Sequence, residues 1–135
     1  MGNDAHKQPI QVLVVDDDPT TRMVIRASVS QWGYEVEEAQ DGKEAYDYLR
    51  AGNLPDILLL DWVMPEMDGL SLCNHLREED IELPYIIFVS YNSGLSQIVK
   101  AIESGASEFI SKPLNVSELR IRLLSAAQFL HRNCL

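Results

Sequence analysis

Basic residues are scarce in this sequence: 11 Lys and Arg stand against 21 Asp and Glu, a formal net charge of −10. So acidic a chain repels phosphate backbones and anionic headgroups, which argues against direct contact with nucleic acid or a membrane surface. Cysteine is nearly missing too. Cys73 falls in a predicted helix and Cys134 beside the chain end, so no disulfide framework is expected and a reducing compartment fits. No apolar run is long enough to span a bilayer. The polar stretch Met1–Gln8 lacks the hydrophobic region of a secretory signal, so the expected location is cytoplasmic. Repeats and low-complexity tracts are absent. The three histidines, His6, His75 and His131, have no partners at metal-ligand spacing and read as surface or satisfied side chains.

What is present suits one ordinary domain. The 135 residues are 46% apolar, enough for a real core. Met1–Pro9 reads as a mobile tail, 10–131 as the domain, and 132–135 as a second tail or the start of a linker. Ile10–Val15 is a valine-rich apolar run suited to a buried strand. Asp18 before Pro19 then reads as a helix cap, with Ile25, Val29 and Trp32 at helical spacing up to Gly33. Tyr34–Glu38 is a half-polar strand. Asp41-Gly42 opens a helix with Ala45, Tyr48 and Leu49 inward, closed near Gly52. Asp56–Leu60 is a third strand, followed by a loop from Trp62 to Gly69 and a helix carrying Leu72, Cys73 and Leu76. Asp68 is placed to cap that helix. Tyr85–Val89 is the fourth strand, and Gly94 precedes a helix with Ile98, Ala101 and Ile102. Ser107–Ile110 is the fifth strand. Asn115 with Glu118 is a capping box for a last helix running to about His131.

Five strands alternating with five helices imply right-handed crossovers and a doubly wound parallel sheet, an α/β fold. Such sheets bind ligands at the carboxyl ends of their strands. There the sequence sets Asp16 and Asp17 after strand one, Asp61 after strand three, Ser90 after strand four and Lys112 after strand five. Two unit charges about 4 Å apart repel by roughly 4 kcal/mol at an effective dielectric near 20, so converging carboxylates need an offset. A divalent cation and a lysine supply one. Oxygen-only ligands favour Mg²⁺, which takes one or two carboxylates, several waters and a phosphate oxygen. A carboxylate beside Mg²⁺ is a competent nucleophile towards phosphorus, with Lys112 and Ser90 left to meet the remaining phosphoryl oxygens.

The segments Val12-Leu-Val-Val-Asp-Asp-Asp-Pro19, Leu58-Leu-Leu-Asp-Trp-Val-Met-Pro-Glu-Met-Asp-Gly69, Val89-Ser90 and Ile110-Ser-Lys-Pro113 resemble those of response-regulator receiver domains of two-component systems. The resemblance runs from about Ile10 to Leu130 and keeps all five key positions in order. It implies the CheY-like strand order 2-1-3-4-5. It implies Asp61 as phosphoacceptor, Asp17 as a direct Mg²⁺ ligand, Asp16 as its water-mediated partner, and Val63 as donor of a backbone carbonyl to the metal. Ser90 becomes the hydroxyl switch, Lys112 the phosphate-binding lysine, Phe109 the aromatic switch, and Pro113 a proline after a cis peptide. The implied donor is a sensor histidine kinase or a histidine phosphotransfer protein. The face of helix four, strand five and helix five is then expected to change on phosphorylation, to act on an output domain or partner, and to offer room for a homodimer. The domain would signal rather than act as an enzyme on a separate substrate.

Two rival chemistries fit less well. A haloacid-dehalogenase-type phosphatase wants a second acid two residues after its nucleophile, where Val63 stands. A flavin binder of the same fold wants a phosphate loop where three aspartates stand. A degenerate receiver used only for interaction is opposed by the intact five-residue set. In the last helix Leu119, Leu123, Ala127 and Leu130 form one apolar stripe, while Ile121, Leu124 and Phe129 add apolar surface elsewhere and point to a second contact. Tyr91 beside Ser90 is placed to narrow access to the acceptor, and Trp62 to shield or report on it. Val63 cannot orient an attacking water, a task left to Asn92. The expected autodephosphorylation is slow to moderate; a phosphoryl half-life of seconds, followed by loss of label from purified protein, contradicts it.

Overall fold

The computed structural model describes residues 9–91 and 94–133. The tail 1–8 with His6, and likewise Asn92, Ser93, Cys134 and Leu135, lie outside the described residues. Ten elements alternate along the chain: β1 Gln11–Val15, α1 Pro19–Gln31, β2 Glu35–Ala39, α2 Gly42–Arg50, β3 Ile57–Asp61, α3 Gly69–Glu78, β4 Tyr85–Ser90, α4 Leu95–Glu103, β5 Glu108–Ser111 and α5 Val116–Asn133. The strands are all parallel, in the order β2-β1-β3-β4-β5. This is the doubly wound arrangement expected from the sequence.

The caps explain where the helices begin. The Asp18 carboxylate accepts from the backbone of Thr20 and Thr21, Asp41 from Glu44, and Asp68 from Ser71. Asn115 accepts from Glu118 N–H at 3.0 Å, while the Glu118 carboxylate pairs instead with Arg122 one turn on. Gly33, at φ +99°, turns the chain out of α1 in a conformation that side chains resist.

The sheet's two faces follow from its period of two. Leu13, Val15, Leu58, Leu60, Ile86 and Phe88 pack with Ala45, Leu49, Leu72, Cys73, Leu76 and Ala101, so α2, α3 and α4 cover that side. Val12, Val14, Ile57, Leu59, Ile87, Val89 and Ile110 pack with Ile25, Val29, Leu119, Leu123 and Ala126 of α1 and α5. β3 is buried on both sides along its whole length. At about 1.5–3 kcal/mol for each large apolar side chain removed from water, its four-residue Ile-Leu-Leu-Leu run anchors the sheet.

Several side chains depart from the expected pattern. Ile102 is exposed, because Ala101 and Ser104 take the inner side of α4. In α5 the fully buried alanine is Ala126, and Ala127 is half-buried at the helix flank. Trp32 is half-buried at the C-cap of α1, with the Arg120 guanidinium 5.6 Å over its ring, rather than wholly in the core. α5 also continues to Asn133, two residues past the expected end.

One close approach ties the fold to the strand ends. Gly69 begins α3 against β3 and β4, and its N–H donates to the Trp62 carbonyl. A Cβ there would lie 2.6 Å from Phe88 Cε1 and 2.7 Å from the Asp61 carbonyl oxygen. Gly69→Ala should therefore destabilise the protein by about 1–3 kcal/mol, read as a lower urea midpoint; an unchanged midpoint contradicts so tight a junction.

Candidate functional site

β1 and β3 are neighbours because both are apolar on two faces, and this adjacency brings their carboxyl ends together. Asp16 stands one residue past β1, Asp61 is the last residue of β3, and Ser90 is the last of β4. Lys112 follows β5, and its N–H donates to the Ser90 carbonyl at 2.9 Å. The Lys112–Pro113 peptide is cis.

These side chains converge. The Lys112 ammonium lies 3.2 Å from Asp16 Oδ2 and 3.5 Å from Asp61 Oδ2. Asp16, Asp61 and Ser90 are all buried, whereas Asp17 is exposed at the rim. A cavity of 280 Å³ opens onto them, lined by Asp16, Asp17, Asp61, Ser90 and Lys112 together with Val63, Tyr91, Asp18 and Thr21. A larger hollow, 510 Å³, lies at the β2 edge among Gln11, Arg26, Tyr34 and Tyr48; it holds none of the strand-end residues.

The acids do not share one role. Asp18 is committed to the α1 cap. Asp16 is fixed from several directions: Oδ1 accepts from Asp18 N–H at 2.9 Å, Oδ2 from Lys112, and its carbonyl from Arg22 at 2.7 Å. Arg22 is itself held by Glu38 at 3.0 Å. Nothing in the sequence pattern marks Arg22, since its value lies in the turn of α1 folding back over the β1 end. The stacking of Tyr91 over Lys112, 5.6 Å from ring centroid to Nζ, is likewise invisible before folding.

One carboxylate oxygen from each of Asp16, Asp17 and Asp61 lies within 4.8 Å of the others. Carboxylate oxygens gathered this closely form an all-oxygen set of the kind that could hold a hard divalent cation. Three carboxylates against one ammonium also leave the cluster formally negative, which a cation would offset. The other candidates stay apart. His75 is on the surface of α3, edge-on to Tyr46, and His131 is exposed on α5. Cys73 is wholly buried, and burial pushes its thiol up to about 12, so it behaves as a small apolar side chain.

Trp62 points away from the cavity into the α2–α3 side of the core. Its ring lies 5.5 Å from Phe88 and 6.2 Å from Phe109, the latter edge-on. It therefore backs the end of β3 and does not shield the cavity mouth, which Tyr91 flanks instead.

Burial, with the Asp16 carboxylate next in weight, pushes the Asp61 carboxyl up to about 6, although Lys112 pulls the other way. Burial opposes the Lys112 charge, but Asp61 and Asp16 outweigh it and raise that ammonium above its ordinary value. Asp61 thus holds a proton more tightly folded than unfolded. Its contribution to stability falls as pH rises from the ordinary 3.8 to about 6, and the cost of the ionised carboxylate is complete above that window. Without metal, Asp61→Asn should stabilise the protein by roughly 1–3 kcal/mol at neutral pH and by almost nothing near pH 4. Denaturant unfolding in a chelator at the two pH values checks this; a variant less stable at neutral pH contradicts it.

Comparison with known proteins agrees with this fold. The family profile described as Response regulator receiver domain matches residues 12–124. Response regulator MprA of Mycobacterium sp. (strain KMS) is 42% identical over 115 residues, which are 85% of this chain and 49% of that protein. The chain thus spans about half the length of the curated relatives it matches. Among solved structures, the receiver domain of Francisella response regulator 1452 superposes with a TM-score of 0.82 at 32% identity, covering 91% of this chain and 99% of that one. The signal receiver domain of a signal transduction histidine kinase from Syntrophus aciditrophicus gives 0.79 at 30% identity, covering 90% of this chain and 92% of that one. The chain belongs to the response regulator receiver domains of two-component signal transduction.

Proposed function

We propose that the domain accepts a phosphoryl group on Asp61 in a Mg²⁺-dependent reaction and uses it to change its α4–β5–α5 face. The observation carrying this reading is the Lys112 ammonium set between two buried carboxylates, with a third acid and the Ser90 strand end on the same cavity. Asp61 is the acceptor because it is buried at the β3 end beside Lys112, whereas Asp16 is tied to the Asp18 N–H, Asp17 is exposed at the rim and Asp18 caps α1. Asp16, Asp17, Asp61 and the Val63 carbonyl would hold the metal, Asp16 through water. Bound Mg²⁺ neutralises charge on one phosphoryl oxygen and on the attacking carboxylate.

The donor is a phosphohistidine on a sensor kinase or phosphotransfer protein. An Asp61 oxygen forms the new bond to phosphorus as the phosphorus–nitrogen bond breaks, and the electron pair leaves with the imidazole. Lys112 and the Ser90 hydroxyl receive the other phosphoryl oxygens, which is the positioning that phosphoryl transfer chiefly demands. Ser90 moves towards the phosphoryl group, and Phe109 rotates into the space behind it. Phosphate biases a two-state equilibrium in this way, and each tenfold bias takes about 1.4 kcal/mol of differential contact.

The responding face carries exposed apolar side chains: Leu95, Val99 and Ile102 on α4. That surface suits a second copy of the domain, a partner or an output domain elsewhere in a longer protein. A cytoplasmic setting fits this role, and none of the described helices is long and apolar enough to cross a membrane. The domain acts as a signalling element that catalyses its own modification.

Trp62 follows Asp61 directly and touches Phe109, whereas Trp32 caps the other end of α1 and supplies a steady background. Mg²⁺ followed by beryllium fluoride, a stable stand-in for the phosphoryl group, should give a saturable fluorescence change. Asp61→Asn should abolish it. A folded wild-type protein showing no change with either ligand would sink the acceptor reading and leave an interaction module.

A further inference from the structure

We infer that Tyr91 is a positioning residue for Lys112, its ring face holding the ammonium at the phosphoryl end of the cavity. The inference rests on the proposed acceptor role of Asp61. The parallel register pairs Ser90 with Ser111, so the next step along each strand sets Tyr91 beside Lys112. Lys112 Nζ lies 5.6 Å from the Tyr91 ring centroid, within the reach of a cation–π contact. Its charge partners among the described residues are the Asp16 and Asp61 carboxylates at 3.2 and 3.5 Å.

The exposures of the two residues differ in a telling way. Lys112 stands beyond a strand end, yet its side chain is only 9% exposed. Tyr91 is 73% exposed and packs into no core cluster. An aromatic ring left this open contributes little to the fold; among the described residues its cationic contact is Lys112. A lysine stem has four rotatable carbons and otherwise swings outward to hydrate its ammonium. The ring resists that swing. A further carboxylate in this place would hold the lysine too, but it would cancel its charge and repel an incoming phosphoryl group. The negative face of a ring attracts the ammonium and leaves its full charge for the ligand. Only the ring takes part, so the Tyr91 hydroxyl is dispensable.

The test is an equilibrium titration of beryllium fluoride at saturating Mg²⁺ into the wild type, Tyr91→Ala and Tyr91→Phe, with circular dichroism to verify folding. A cation–π contact at a half-open site corresponds to about a two- to fivefold loss of affinity in Tyr91→Ala, with Tyr91→Phe restoring it. In carbon–proton correlation spectra the Lys112 Hε signals should sit upfield in the wild type and in Tyr91→Phe. They should move to the ordinary lysine position in Tyr91→Ala. Equal affinity in all three proteins, equal weakening in both variants, or Lys112 signals indifferent to the ring would each overturn the inference. A wild type that binds no beryllium fluoride instead refutes the acceptor role of Asp61.

Discussion

The site depends on one ammonium among carboxylates. Packing alone forces β1 and β3 together, since both are apolar on two faces, and this brings Asp16 and Asp61 to the same edge whether or not their charges agree. Lys112 is what makes that convergence tolerable, at 3.2 and 3.5 Å from the two acids. It arrives from β5, which lies three strand spacings from β1, about 14 Å in a sheet. A short side chain at that position would not reach. The lysine compensates only in part, since burial and, next, the Asp16 carboxylate still push the Asp61 carboxyl up to about 6. Three carboxylates against one ammonium leave the cluster formally negative, a balance that a divalent cation could redress.

Much of this was legible in the sequence because the strongest signals are local. A run such as Ile57–Leu60 closed by Asp61 states both a buried strand and the residue delivered at its end. Asp18 before Pro19 and Asp68 before Gly69 are caps whose partners lie within three residues. Strand order followed once alternation implied parallel crossovers and the family resemblance was in hand. Less legible was whatever depends on which of two adjacent apolar residues faces inward. Ala101 against Ile102, and Ala126 against Ala127, are decided by how closely a helix can approach the sheet, and small side chains win where the approach is tight. Contacts between residues remote in sequence, such as Arg22 with the Asp16 carbonyl and Trp62 with Phe109, leave no periodic trace at all.

The two sides of β3 at its carboxyl end do different work. Asp61 faces the polar cavity, and the next residue, Trp62, turns into the core and meets Phe88 and Phe109. A charged group and an aromatic cluster are thus joined by a single peptide unit.

The sheet's outer strands bear on how copies of this domain meet. β2 is an edge strand reading Glu-Val-Glu-Glu-Ala, so a second β2 laid against it would align glutamates with glutamates. β5, the other edge, has only four residues to offer. Charge at one rim and brevity at the other discourage strand-to-strand growth, the route by which open parallel sheets aggregate. The helical surfaces are left as the ground for any contact with another chain, one that could form and dissolve without disturbing the backbone hydrogen bonds that hold Asp16, Asp61 and Lys112 in register.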